Sequence, residues 1–180
     1  MRRVILASAL AAFSLAAGPV LAGAPVEITI GPELAKKTAS YGARDIDIVR
    51  GWLSETANKA FSRPGAAQIV RADLVLENAV PNRPTFSQMS RYPQLSMESI
   101  GLGGATIGGT VTTADGQVHR IKYAFYESNF WNLGPATTWR DAERAFNNAA
   151  RRIARGDFPN QKRPMQPTGD GHFDPRNLRN

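Results

Sequence analysis

The sequence predicts an α+β domain: an antiparallel sheet of about four strands with two helices packed on one face, in the order β-α-β-β-β-α. Three observations carry this. Two segments, Val26–Ile30 and residues 70–80, alternate apolar and polar side chains with the period of a strand. Residues 41–61 and 138–155 instead place apolar side chains at helical spacing, and Asp115-Gly116 separates two further alternating runs in the manner of a hairpin.

Taken in order, Val26-Glu27-Ile28-Thr29-Ile30 reads as a half-buried strand ended by Gly31-Pro32. The first helix follows, with Ile46, Val49, Leu53, Thr56 and Ala60 on one stripe, Trp52 at its edge, and Ser62-Arg63-Pro64-Gly65 as its stop. Val70, Ala72, Leu74, Leu76 and Val80 share one parity and Arg71, Asp73 and Glu77 the other, which predicts a long strand with one wet face, closed by Pro81 and Pro84. Residues 82–102 hold no sustained period and are expected to form a long loop, and loops of that length inside a domain often carry function. In the hairpin, Gly101, Gly103 and Gly104 lead into a strand, Asp115-Gly116 suits a two-residue turn, and Ile121, Tyr123 and Phe125 alternate with polar neighbours on the return. Thr138 with Asp141 three positions on is a capping-box start for the last helix. Its apolar face is Ala142, Phe146, Ala149 and Ile153, its last turn is basic, and Gly156 closes it.

The ends have a different composition. Arg2-Arg3, an apolar run over residues 4–17, a Gly18-Pro19 break and Val20-Leu21-Ala22 form the pattern of a secretory leader, residues 1–22, cleaved before Gly23. The apolar run is too short for a membrane span, which needs about 20 residues. The domain is therefore expected over residues 23–156. Residues 157–180, rich in Pro, Asn and charge, read as a disordered tail. The 180-residue chain contains no cysteine, which removes disulfides, thiolate metal sites and cysteine nucleophiles together. Its formal charge is +7, and losing Arg2 and Arg3 leaves a modest basic excess that suits an anionic envelope surface.

Few residues point to catalysis. His119 shares parity with Ile121 and Tyr123, as a partly buried strand histidine does. The tail group Asp170, His172 and Asp174 has alternating ligands but lacks the distal glutamate of a calcium loop, so no metal and no cofactor are expected. No Gly-x-Ser-x-Gly elbow occurs. Carboxylates that could serve a hydrolase, Glu27, Asp73, Glu77, Glu98 and Glu127, fall mostly on wet strand faces. The run Lys122-Tyr123-Ala124-Phe125-Tyr126 has the look of an RNA-recognition strand, but its successive residues alternate between faces and a leader precedes it, so nucleic acid is not an expected partner.

The Gly-Gly-Ala-x-Ile-x-Gly start of the hairpin at Gly103 and Thr-Trp-Arg-Asp-Ala at Thr138, in this element order, resemble families of uncharacterised bacterial envelope lipoproteins. The resemblance spans residues 26–155. The lipid-bearing cysteine of such families has no counterpart here: Leu21-Ala22-Gly23 is followed by Ala24. The resemblance implies a freely diffusing periplasmic or secreted α+β domain that works at the envelope by binding an envelope protein or an anionic surface. The expected contact residues are Arg83, Phe86, Arg91 and Tyr92 of the long loop, with Phe130 and Trp131, because exposed aromatics favour recognition. The alternatives are a small hydrolase acting through carboxylates and a structural domain whose role lies in its oligomer.

Overall fold

The computed structural model describes residues 25–132 and 137–160. The expected leader and the tail group Asp170, His172 and Asp174 lie outside the described residues. Four strands, β1 (Val26–Ile30), β2 (Ile69–Val80), β3 (Gly104–Thr113) and β4 (Val118–Tyr126), form one sheet in the order β1-β2-β3-β4. Helices α1 (Pro32–Lys36), α2 (Thr38–Tyr41) and α3 (Ala43–Phe61) lie between β1 and β2. Helix α4 (Phe86–Arg91) lies between β2 and β3, and α5 (Arg140–Ala154) follows β4.

The sheet is mixed, which corrects the expectation of an antiparallel one. β2, β3 and β4 pair antiparallel, but β1 runs parallel to β2, with Val26 opposite Ala72 and Ile30 opposite Leu76. The reason is the 19-residue α3, which carries the chain back to the end of the sheet where β1 began, so the next strand can only start in the same direction. Alternation of polarity reports which face a residue occupies and is silent on strand direction.

One face of the sheet is the core. Leu74, Leu76, Ile107, Val111, Ile121 and Tyr123 pack in one cluster with Val49 and Leu53 of α3 and with Phe146 and Ile153 of α5. Thr56, expected on the α3 stripe, is only half-buried, and Ala57 takes its place. β2 departs from strict alternation because its register shifts between Ile69 and Arg71 and again between Leu76 and Asn78. The first bulge turns Val70 outward, at 48% exposed, and past the second it is Ala79, in place of Val80, that joins the core cluster. On the opposite face, Arg71 bridges Glu27 (3.6 Å) and Asp73 (2.6 Å), and Lys122 pairs with Glu77.

The hairpin closes on three residues instead of two. Thr113 N–H donates to the Gln117 carbonyl at 3.0 Å, and Gly116 alone takes a left-handed φ of +80°. That is the geometry of a type I turn followed by a left-handed glycine. Gly109 is needed for a different reason: a Cβ there would stand 2.2 Å from the Asp73 carbonyl oxygen.

The chain stays on the domain beyond Gly156. Lys122 N–H donates to the Pro159 carbonyl at 2.8 Å, Asn160 forms a parallel bridge with Lys122, and Phe158 stacks on His119 with ring centroids 3.8 Å apart. Residues 157–160 thus cover part of the outer edge of β4.

Phe146 is fully buried at the centre of the α5 face. Phe146→Ala is expected to lower the stability of the fold by about 3–5 kcal/mol in urea unfolding, with no change in the slope of the transition.

Candidate functional site

The C-terminal ends of β2 and β4, the start of β3 and the start of α5 meet at one end of the sheet, around Asn82 and Asp141. Both side chains are buried, Asn82 completely. The Asn82 carboxamide donates to Asp141 Oδ2, and its Oδ1 accepts the Asp141 backbone N–H at 2.9 Å. Asn82 N–H donates to the Thr138 carbonyl at 2.7 Å, and the Asn82 carbonyl accepts Gly101 N–H at 2.8 Å. Gly103 N–H completes the carboxylate shell at 3.2 Å. Gly103 must be glycine here, because a Cβ would lie 2.6 Å from Asn82 Oδ1.

This arrangement replaces the expected capping box at Thr138. Trp139, not Thr138, holds the N-cap position of α5, and no side chain of its own segment caps the helix. Asp141 is turned inward, and Asn82, 59 residues earlier, supplies the acceptor for its N–H. A local sequence pattern could not show a cap delivered from another strand. The capping box that does form is Thr85 with Gln88, reciprocal at 3.0 and 3.3 Å, and it starts α4 inside the segment expected to be a loop. Its Thr-x-x-Gln spacing was present in the sequence.

The six expected contact residues are dispersed around this end. Arg83 donates to the Met97 carbonyl, which ties the two limbs of the 82–102 segment together. Phe86 is the first residue of α4 and is 77% exposed. Arg91 is turned to α2, where it donates to the Ala39 carbonyl at 2.8 Å. Half-buried Tyr92 ends α4 through its N–H to the Gln88 carbonyl at 2.9 Å. Phe130 and Trp131 lie on a separate 3-10 turn, Phe130–Asn132, and Trp131 is 94% exposed.

Glu127 fixes that turn. Its Oε1 accepts the N–H groups of Ser128 (3.0 Å) and Asn129 (3.1 Å), its Oε2 accepts from Arg144 at 3.1 Å, and its own N–H donates to the Gly103 carbonyl. Asn129 Oδ1 then accepts Trp131 N–H at 2.9 Å. Burial alone would raise the Glu127 carboxyl, but the Asn132 side chain, the two N–H groups and Arg144 outweigh it and hold the group below its ordinary range.

The other expected carboxylates do not converge in a cleft. Glu27 and Asp73 stand opposite each other on the sheet with Arg71 between them, Glu77 is paired with Lys122, and Glu98 is exposed. His119 is half-buried, with Thr113 Oγ1 3.4 Å from its Nε2. Among the described residues, no group of three or more His, Asp or Glu side chains could hold a metal. No helix among them is long and apolar enough to cross a membrane.

A groove of about 450 Å³ between α3 and α5 brings Glu55 and Glu143 together with Trp52, Lys59, Arg63 and Arg151. The sequence places Trp52 at the edge of the apolar stripe and Arg63 in the stop after the helix, with no cue that they share a groove. The signal that could have found them is the row Glu143, Asn147, Arg151 at steps of four beside Glu55, Lys59, Arg63. Burial raises the Glu143 carboxyl above its ordinary value. Comparison of the chain with protein-family models, curated proteins and solved structures gives no match.

Asn82→Ala leaves the buried Asp141 carboxylate with Gly103 N–H as its remaining donor and is expected to destabilise the fold by about 2–5 kcal/mol, read from urea or thermal unfolding. Glu127 contributes in full above the ordinary carboxylate value of 4.5, and its contribution is lost as falling pH passes through its lowered native value. NMR amide signals of Ser128 and Asn129 should therefore titrate together with a midpoint below 4.5, and Arg144→Ala should move that midpoint upward.

Proposed function

We infer that this protein is an exported binding module of the bacterial envelope that acts without catalysis, docking its aromatic end on an anionic membrane surface. The observation that carries this reading is the distribution of exposed apolar side chains. Of the eight large hydrophobics exposed among the described residues, five belong to segments joined at the Asn82–Asp141 end: Phe86, Met97, Ile100, Phe130 and Trp131. Aromatic side chains on a hydrogen-bonded turn suit the membrane–water interface, where an apolar ring and a polar edge are both accommodated. Arg83, Arg91, Arg140 and Arg144 belong to the same end, where Glu98 is exposed and the carboxylates of Glu127 and Asp141 are buried and hydrogen-bonded, so its outward charge has a positive excess. Positive charge beside exposed aromatics is complementary to anionic lipid. The leader pattern and the likeness to envelope lipoprotein families supply the compartment in this reading.

The test is co-sedimentation of the protein with vesicles of phosphatidylcholine and phosphatidylglycerol. Binding is expected, weakening with added salt, and the Phe130→Ala/Trp131→Ala double variant should bind at least about tenfold less tightly. Equal binding by the double variant, or none by the parent, would overturn the reading.

A carboxylate hydrolase is the second reading, favoured by Glu55 and Glu143 lining one groove with Glu143 raised by burial. Clearing of a peptidoglycan zymogram that is lost in Glu143→Gln would support it.

A further inference from the structure

The charged side chains of the α3–α5 groove are unmatched. Several carboxylates elsewhere have cations: Glu33 has Lys36, Asp47 has Arg50, Glu77 has Lys122, and Asp157 has Arg152. In the groove, by contrast, Glu55, Glu143, Lys59, Arg63 and Arg151 have no ion pair or side-chain hydrogen bond among the described residues. Helix macrodipoles account for Glu143 in the first turn of α5 and for Lys59 and Arg151 in last turns, but not for Glu55 in the middle of α3.

These charges are also sorted by sign along the groove. The two helices start together, where Trp139 Nε1 donates to Asp45 at 3.3 Å, and end together, where Ala67 N–H donates to the Ala154 carbonyl at 2.7 Å. Glu55 and Glu143 therefore occupy the end nearer the helix starts, and Lys59, Arg63 and Arg151 follow one and two turns on. Ala60 and Ala150 keep the floor low between them. The basic end continues into a second hollow of about 240 Å³ lined by Arg63, Arg151 and Arg155. Helix α3 rises about 9 Å from Glu55 to its end at Phe61, and Arg63 lies two residues beyond.

The geometry points to a short extended peptide with both termini free as the ligand of this groove, its ammonium at Glu55 and Glu143 beside Trp52, its carboxylate at Lys59, Arg63 and Arg151. An extended chain covers about 3.3–3.6 Å per residue, so three or four residues span the two ends and a dipeptide does not. A lone inorganic anion satisfies the basic end and leaves the acids unmatched. Trp52, half-buried, offers its ring to the ammonium. This site lies on the helix layer, and its assignment does not rest on the membrane reading.

The experiment is an NMR titration of the full chain with tetra-alanine at low ionic strength, following the Trp52 indole N–H, assigned by its loss in Trp52→Phe, and the Asn147 side-chain amide. A saturable shift at both is expected, with N-acetylation, C-amidation or shortening to dialanine each weakening affinity roughly threefold to tenfold. In Glu55→Gln/Glu143→Gln, N-acetylation should no longer matter, and in Lys59→Ala/Arg151→Ala, C-amidation should no longer matter. The proposal is overturned if no saturable shift occurs, if the doubly blocked peptide binds as well as the free one, or if inorganic phosphate reproduces the same shifts at the same concentration.

Discussion

The rest of the structure depends on one buried hydrogen-bonded pair, Asn82 with Asp141. It is the only device in the described chain that joins the end of β2, the 101–103 approach to β3 and the first turn of α5 at a single point. Without it, α5 begins with an uncapped first turn and a carboxylate shut away from water, and the glycine approach at Gly103 has nothing to approach. The pair also sets the position of the aromatic turn, because the Glu127 N–H donates to the carbonyl of Gly103, the residue whose own N–H donates to Asp141. Stability and surface presentation at this end thus share one cause. A carboxylate buried in this way is held by directed donors, which favours a unique arrangement over a merely compact one.

The two candidate surfaces are built on different principles. The aromatic end places large apolar groups in water on a turn whose backbone is already satisfied by Glu127 and Asn129, so little ordering is left to occur on contact. The α3–α5 groove places charges without partners above a floor of small side chains, and its character is polar and directional. They lie on different layers of the molecule, one at the sheet end and one on the helices. Each can be disabled by surface substitutions that leave the core untouched.

What the sequence made legible was the periodic part. The α5 face Ala142, Phe146, Ala149 and Ile153 is buried as its spacing requires, and β4 alternates as Ile121 and Tyr123 demand. What stayed hidden was non-local. The direction of β1 depends on where α3 leaves the chain, the phase of β2 on two bulges, and the cap of α5 on a residue 59 positions away. For the candidate sites, Phe130 and Trp131 could be read from composition, because two adjacent aromatics outside any period have no core position to fill. The groove could not, since its charged residues follow ordinary helix-surface spacing until two helices are laid side by side; the Thr85–Gln88 capping box, by contrast, is a local Thr-x-x-Gln pattern.

The parallel pairing of β1 bears on how the fold is reached. Val26 finds its partner at Ala72 and Ile30 at Leu76, with the whole of α1, α2 and α3 between them. In a chain that emerges N-terminus first, β1 has no strand to join until the residues through Leu76 have followed, whereas the β3–β4 hairpin can close locally. Loop closure over that span is slow compared with helix and hairpin formation, so β1 is expected among the last strands to dock. Until then Val26, Ile28 and Ile30 have no sheet to pair with, so the β1 edge is where an incompletely folded chain exposes apolar side chains.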